Sequence, residues 1–186
     1  YCGAVVVTNG RLITAIVARN DSDYADIYIW DNYSSEKITS GVYGSYTWSM
    51  AVVGEDVYLC GYQLNASGKK IATLWKNNVQ TVLSDGLRDA EAIGLAVDSN
   101  DVYVVGYEIN ENNDSVSKYW KNGVSTNLTD GTEWSAVRSV FIRGSDVYIA
   151  GFTVTLGKWK AKYWKNGIPV NVTDGTKDAF LYDIYV

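Results

Sequence analysis

The chain contains no histidine, a single proline and only two cysteines in 186 residues. Without histidine, a Ser-His-Asp or Cys-His nucleophile pair cannot be assembled, and a zinc site would lack its commonest ligand. Two isolated cysteines, Cys2 and Cys60, are too few for a disulfide scaffold and lack metal-ligand spacing. Cys60 occupies a column that elsewhere holds Val105 and Ala150, so it is expected as a small buried hydrophobe, and a bridge to Cys2 stays open. No apolar run approaches the ~20 residues of a membrane-spanning helix. The start shows no charged segment followed by an apolar one, so a signal peptide is expected to have been removed or never to have been there. Net charge is −5, and the basic residues are scattered rather than striped, which argues against a nucleic-acid partner.

What the chain has in quantity is tyrosine, tryptophan, valine and a repeat. Asp56-Val57-Tyr58, Asp101-Val102-Tyr103 and Asp146-Val147-Tyr148 recur every 45 residues. One further step back reaches Arg11-Leu12-Ile13. Trp30, Trp75, Trp120 and, after a one-residue deletion, Trp164 share a column, as do Asn32, Asn77, Asn122 and Asn166, and Gly41, Gly86, Gly131 and Gly175. There are four repeats.

Each repeat holds four short runs of β-branched and aromatic residues and no helical period. In the third these are 91–97, 101–108, 116–120 and 124–128. Asn122-Gly123 between two such runs is a hairpin signal, since both residues tolerate positive φ. A four-stranded meander with two apolar faces must be covered by others of its kind, and sheet twist fans stacked meanders around an axis. The expected fold is therefore an all-β propeller in a single domain, with blades over 1–41, 46–86, 91–131 and 136–175. The Tyr58, Tyr103, Tyr148 column and the Trp column are its expected filler between blades. Residues 180–186 match the inner-strand column of residues 1–7 and form a surplus strand. That surplus points first to a larger propeller with more blades, and otherwise to pairing with another copy of the chain or to replacement of residues 1–7.

The order of an inner strand, an Asp-Val-Tyr strand, a Tyr-Trp-Lys-Asn-Gly strand and a strand ending in Thr-Asp-Gly resembles the repeat of uncharacterised bacterial extracytoplasmic propeller proteins. The second, third and fourth units carry the likeness closely. The first departs from it at Arg11, Ile16 and Asp31. The resemblance implies a propeller fold and an extracellular or cell-surface setting, and supplies no catalytic residues.

Paired carboxylates are the one enzymatic chemistry left, as in glycoside hydrolysis. Glu91 and Asp183 on inner strands are the candidates, with Asp89 and Asp178 just before them. Solvation of strand ends is the blander reading and the favoured one. Asp21, Asp23 and Asp26 in one loop, and Glu111 with Asp114 in its counterpart, offer oxygen ligands for calcium without the EF-hand pattern, and ordinary solvated loops are expected instead. Six Asn-X-Ser/Thr triplets are read as chance occurrences in an Asn- and Thr-rich repeat.

Residues that recur in every blade are explained by packing, so function is sought where a blade breaks its column. Trp48, Trp134 and Trp159 are such breaks, and Tyr43 and Tyr46 accompany Trp48. Rings beside Asn and Asp on a rim suit the stacking of sugar faces. The leading expectation is a non-catalytic module recognising a glycan or a protein. A carbohydrate-active enzyme and a subunit that self-assembles through 180–186 are the alternatives.

Overall fold

Strand formation follows the repeat. In the computed structural model, which describes residues 2–8, 10–32, 34–39 and 43–186, sixteen strands and no helix occur among the described residues. The first sheet comprises β1 (Cys2–Thr8), β2 (Arg11–Arg19), β3 (Ala25–Asp31) and β4 (Ser34–Lys37). The second has β5 (Ser45–Val53), β6 (Asp56–Leu64), β7 (Lys70–Lys76) and β8 (Val79–Val82). The third has β9 (Ala90–Asp98), β10 (Asp101–Ile109), β11 (Ser115–Lys121) and β12 (Val124–Asn127). The fourth has β13 (Trp134–Arg143), β14 (Asp146–Thr155), β15 (Lys158–Lys165) and β16 (Ile168–Asn171). Strands are hydrogen-bonded in sequence order within each sheet, giving four four-stranded meanders. Chain contacts divide the molecule into two units, Tyr1–Ala92 and Ile93–Val186, with the first residues of β9 belonging to the first.

The shared Asn column has a local cause. Asn122 and Gly123 take φ of 52° and 85°. The Asn122 Oδ1 accepts from Val102 N at 2.8 Å, and its amide donates to Asp101 Oδ1 at 2.7 Å. Lys121 Nζ pairs with Asp101 Oδ2 at 2.7 Å and lies 5.2 Å above the Tyr103 ring. The same clamp joins Asp56, Tyr58, Lys76 and Asn77, and again Asp146, Tyr148, Lys165 and Asn166. In the first sheet two of the three departures from the repeat compensate each other. Arg11 stands in the aspartate column and Asp31 in the lysine column, and they form an ion pair of reversed polarity.

Within the first unit, Ile13, Ala15, Val17 and Ile27 of β2 and β3 pack against Met50, Leu59 and Trp75 of the second sheet. Within the second unit, Tyr103, Val105 and Leu128 pack against Val137, Val140, Ile149 and Trp164. Trp75, Trp120 and Trp164 are buried while Trp30 of the first sheet is half-buried, and each large buried side chain contributes roughly 1.5–3 kcal/mol. Tyr58 and Tyr103 are buried as well, whereas Tyr148 is half-buried.

The segment 180–186 makes no backbone ladder with another strand among the described residues. It is held instead by side chains, with Ser139 donating to Asp183 and the Phe141 and Tyr185 rings 4.7 Å apart. The acidic loop before β3, expected to be solvated, is held by ion pairs of its own. Asp23 pairs with Arg19 at 2.7 Å, while Asp26 turns fully inward to meet Lys37 at 2.6 Å, Asn20 at 3.1 Å and Thr39 at 3.0 Å. Asp21 is exposed, and no group of three His, Cys, Asp or Glu residues able to hold a metal occurs among the described residues. Asp114 has a backbone role, its N–H and C=O closing the loop on Asn110.

Cys60 is fully buried and free, while the side chain of Cys2 and residue Gly41 lie outside the described residues. Burial pushes the Cys60 thiol up, far from the thiolate form that reacts. Cys60 is therefore expected to resist a thiol reagent such as Ellman's in the folded protein and to react within seconds in denaturant. Rapid labelling under native conditions would contradict this packing.

Candidate functional site

The inner strand β5 contains a bulge. Thr47 pairs with Gly61 and Ser49 with Cys60, leaving Trp48 unpaired between them. The extra residue is re-aimed outward, and Trp48 is 41% exposed. Its indole is nonetheless fixed, because Nε1 donates to Glu91 Oε2 at 3.0 Å. The other oxygen of Glu91 accepts from Lys70 Nζ at 2.6 Å. Lys70 lies 4.9 Å above the Tyr62 ring, Tyr62 stacks on Tyr46 at 5.0 Å, and Trp48 is 6.4 Å from Tyr62. Glu91, 8% exposed, thus ties Trp48 to Lys70, with one oxygen accepting from each. Asp183 is exposed and accepts from Ser139 and from the Ile184 N–H.

The second unit builds a related cluster. Trp134, the first residue of β13, is 49% exposed and lies 5.5 Å from Phe152 and 5.7 Å from Trp159. Phe152 is buried and stacks on Trp159 at 4.7 Å. Phe180 meets Trp159 at 5.7 Å, and Tyr182 meets Phe180 at 4.9 Å. Asp178 Oδ1 accepts from the Trp159 N–H at 3.0 Å, as Asp89 Oδ1 accepts from the Lys70 N–H at 2.9 Å. Trp159 therefore stands where Lys70 stands two repeats earlier, Phe152 where Tyr62 stands, and Phe180 where Glu91 stands. The same three columns hold an aromatic, a cation and a carboxylate at Tyr62, Lys70 and Glu91, and only rings at Phe152, Trp159 and Phe180.

Sequence reasoning located Trp48, Tyr46, Trp134 and Trp159, and the structure gathers them into these two clusters. Tyr43 is exposed in the loop preceding β5 and is not brought into either cluster among the described residues. Phe152, Phe180, Tyr182, Tyr62 and Lys70 were missed. An aromatic at 62 or 152 is ordinary filler for its column, and only the pairing of columns 62, 70 and 91 could have revealed the cluster.

No protein-family model matches the chain by sequence, and no characterised protein does. Solved structures do resemble it. The propeller domain of the Trilobed protease from Pyrococcus furiosus, described as having an open velcro topology, matches with a TM-score of 0.56 and 16% identity over 94% of this chain. The chain has the β-propeller fold. It spans 55% of that protease structure. A thermostable family-43 glycoside hydrolase matches with a TM-score of 0.54 and 9% identity, over 94% of this chain and 75% of its own. A fucose lectin from Kordia zhangzhouensis matches at a TM-score of 0.48 and 15% identity, over 71% of this chain and 99% of its own.

Proposed function

We propose that this propeller is a non-catalytic carbohydrate-binding module of the cell surface or exterior, with the Trp134, Trp159, Phe180 and Tyr182 rings as its main contact surface and Trp48 as a second. The observation that carries the reading is the Trp134 ring. It is half-exposed yet held by edge and tilted contacts to Trp159 and Phe152, so a face is available to a ligand without an ordering cost. Such a face packs on the C–H side of a sugar ring, while the carboxylate of Asp178, which already holds the Trp159 N–H, accepts a hydroxyl proton. Fixing of Trp48 by Glu91 serves the second surface in the same way.

The test is glycan-array binding followed by calorimetry with the best neutral oligosaccharide. Trp134→Ala is expected to weaken binding about tenfold, the size of one aromatic contact of ~1.4 kcal/mol, with an unchanged thermal midpoint. Full affinity in both Trp134→Ala and Trp48→Ala would overturn the reading.

A further inference from the structure

A cleft of about 540 Å³ lies on the other side of the fourth sheet, between the end of β12 with its following loop and β14 to β16. Thr153, Lys162, Trp164 and Pro169 line it from the sheet, and Asp130 and Glu133 from the loop. Thr153 and Trp164 are 2% and 1% exposed, yet Thr153 Oγ1 and Trp164 Nε1 have no hydrogen-bond partner. Leaving a buried donor unsatisfied is costly, and native proteins do it rarely.

The repeat shows what has been removed. In the second sheet the columns of Thr153 and Pro169 hold Gln63 and Gln80, joined by a hydrogen bond of 2.8 Å. In the third, the Thr153 column holds Glu108, which pairs with Lys118 in the Lys162 column. The fourth sheet keeps the lysine but replaces the carboxylate with the short hydroxyl of Thr153. It also sets the chain's one proline opposite Trp164, where Trp75 faces Gln80 and Trp120 faces Ser125. Side chains that close this position elsewhere are thus missing, while three donors remain around the cleft: Trp164 Nε1–H, Thr153 Oγ–H and the Lys162 ammonium.

We propose that this cleft binds a small hydroxylated carboxylate, such as a sugar acid, whose carboxylate takes the place that Glu108 fills in the preceding sheet. Charge-assisted bonds from lysine, threonine and indole N–H satisfy the anion, and Asp130 and Glu133 at the rim accept protons from its hydroxyls. The site is independent of the aromatic platform. Phe152 and Thr153 are consecutive on β14 and point to opposite faces of the sheet.

The test uses the full chain labelled with 15N, with sodium D-glucuronate as probe. The Trp164 indole resonance, assigned by its disappearance in Trp164→Phe, is expected to shift saturably with glucuronate. D-glucose should move it at least tenfold less effectively. Thr153→Val and Lys162→Met should each remove the shift, while Trp134→Ala should leave it intact. Should Trp164→Phe fail to fold, 19F labelling with 5-fluorotryptophan and the same Thr153→Val comparison provides the readout. Equal shifts with glucose, a shift that survives Thr153→Val, or no saturable shift at all would each overturn the proposal. Loss of neutral-glycan binding in Trp134→Ala with the glucuronate shift retained would separate this site from the platform.

Discussion

Gly151→Ala and Gly61→Ala are each expected to abolish most of the stability of the unit that contains them. Both glycines lie opposite the bulge of an inner strand, where Val137 pairs with Gly151 and Thr47 with Gly61. A Cβ on Gly151 would sit 2.2 Å from the carbonyl oxygen of Ala136 and 2.9 Å from Val137 Cα. On Gly61 it would sit 1.9 Å from the Tyr46 oxygen and 2.8 Å from Thr47 Cα. The obstacle is backbone in both cases and cannot rotate away, so two hydrogen-bonded strands must separate. The cost should reach about 3 kcal/mol or more, at the upper end for overpacking. Gly144→Ala is the control. Its φ is 58° with nothing within 4 Å of the added carbon, so only left-handed strain of about 1–2 kcal/mol is expected. Urea midpoints measure both. If Gly151→Ala shifted the midpoint no more than Gly144→Ala does, the bulge would not be the close-packed feature described here. Gly61→Ala should also disturb Trp48, because the bulge that aims that ring is the one the methyl group would push open.

Lys37→Met is expected to destabilise the protein by about 3 kcal/mol at pH 7, and by clearly less near pH 4. Asp26 is fully buried, and burial acting alone would raise its carboxyl. Hydrogen bonds from Lys37, Asn20 and Thr39, with the Lys37 charge, outweigh burial and hold it below the ordinary carboxylate range. Breaking a buried pair from one side leaves an uncompensated charge, which typically costs ~3–5 kcal/mol. Half of Lys37 reaches solvent, so the lower figure applies. The signs run in opposite directions for the two proteins. In the native chain the folded carboxyl is depressed, so its stabilisation is complete above the unfolded value of about 3.9 and is lost as pH falls through the folded one. Lys37→Met removes the largest lowering influence and leaves burial opposed only by Asn20 and Thr39, so the folded carboxyl is expected to rise and the penalty at neutral pH to shrink as acid supplies the proton. Denaturation at the two pH values reads the difference. A penalty that is equal at pH 7 and pH 4 would show that the charge of Asp26 is not what Lys37 compensates.

Much of the architecture was legible from period and punctuation. The runs 91–97, 101–108, 116–120 and 124–128 became Ala90–Asp98, Asp101–Ile109, Ser115–Lys121 and Val124–Asn127. Alternating apolar residues and Asn-Gly turns are local facts, and a strand or hairpin is settled within a few residues. Three rings of the Trp column, Trp75, Trp120 and Trp164, were equally legible as buried filler, whereas Trp30 is half-buried. The candidate site was legible only in part. Trp134 and Trp159 broke their columns and drew notice, but Phe152 did not, because a phenylalanine fits that column as filler.

What the sequence by itself determined was the repeat, the strands and the turns, because each depends on neighbours along the chain. Tertiary structure decided which departures answer one another. Arg11 and Asp31 looked like two separate irregularities and are one reversed ion pair. Glu91 was expected to solvate a strand end and is the brace between Trp48 and Lys70. Asp26 was expected in a solvated loop and is a buried counterion of Lys37. In all three cases the partner is 11 to 43 residues away in the chain, and the distance between the groups is set by strand register and sheet packing, which the order of residues along one strand does not express.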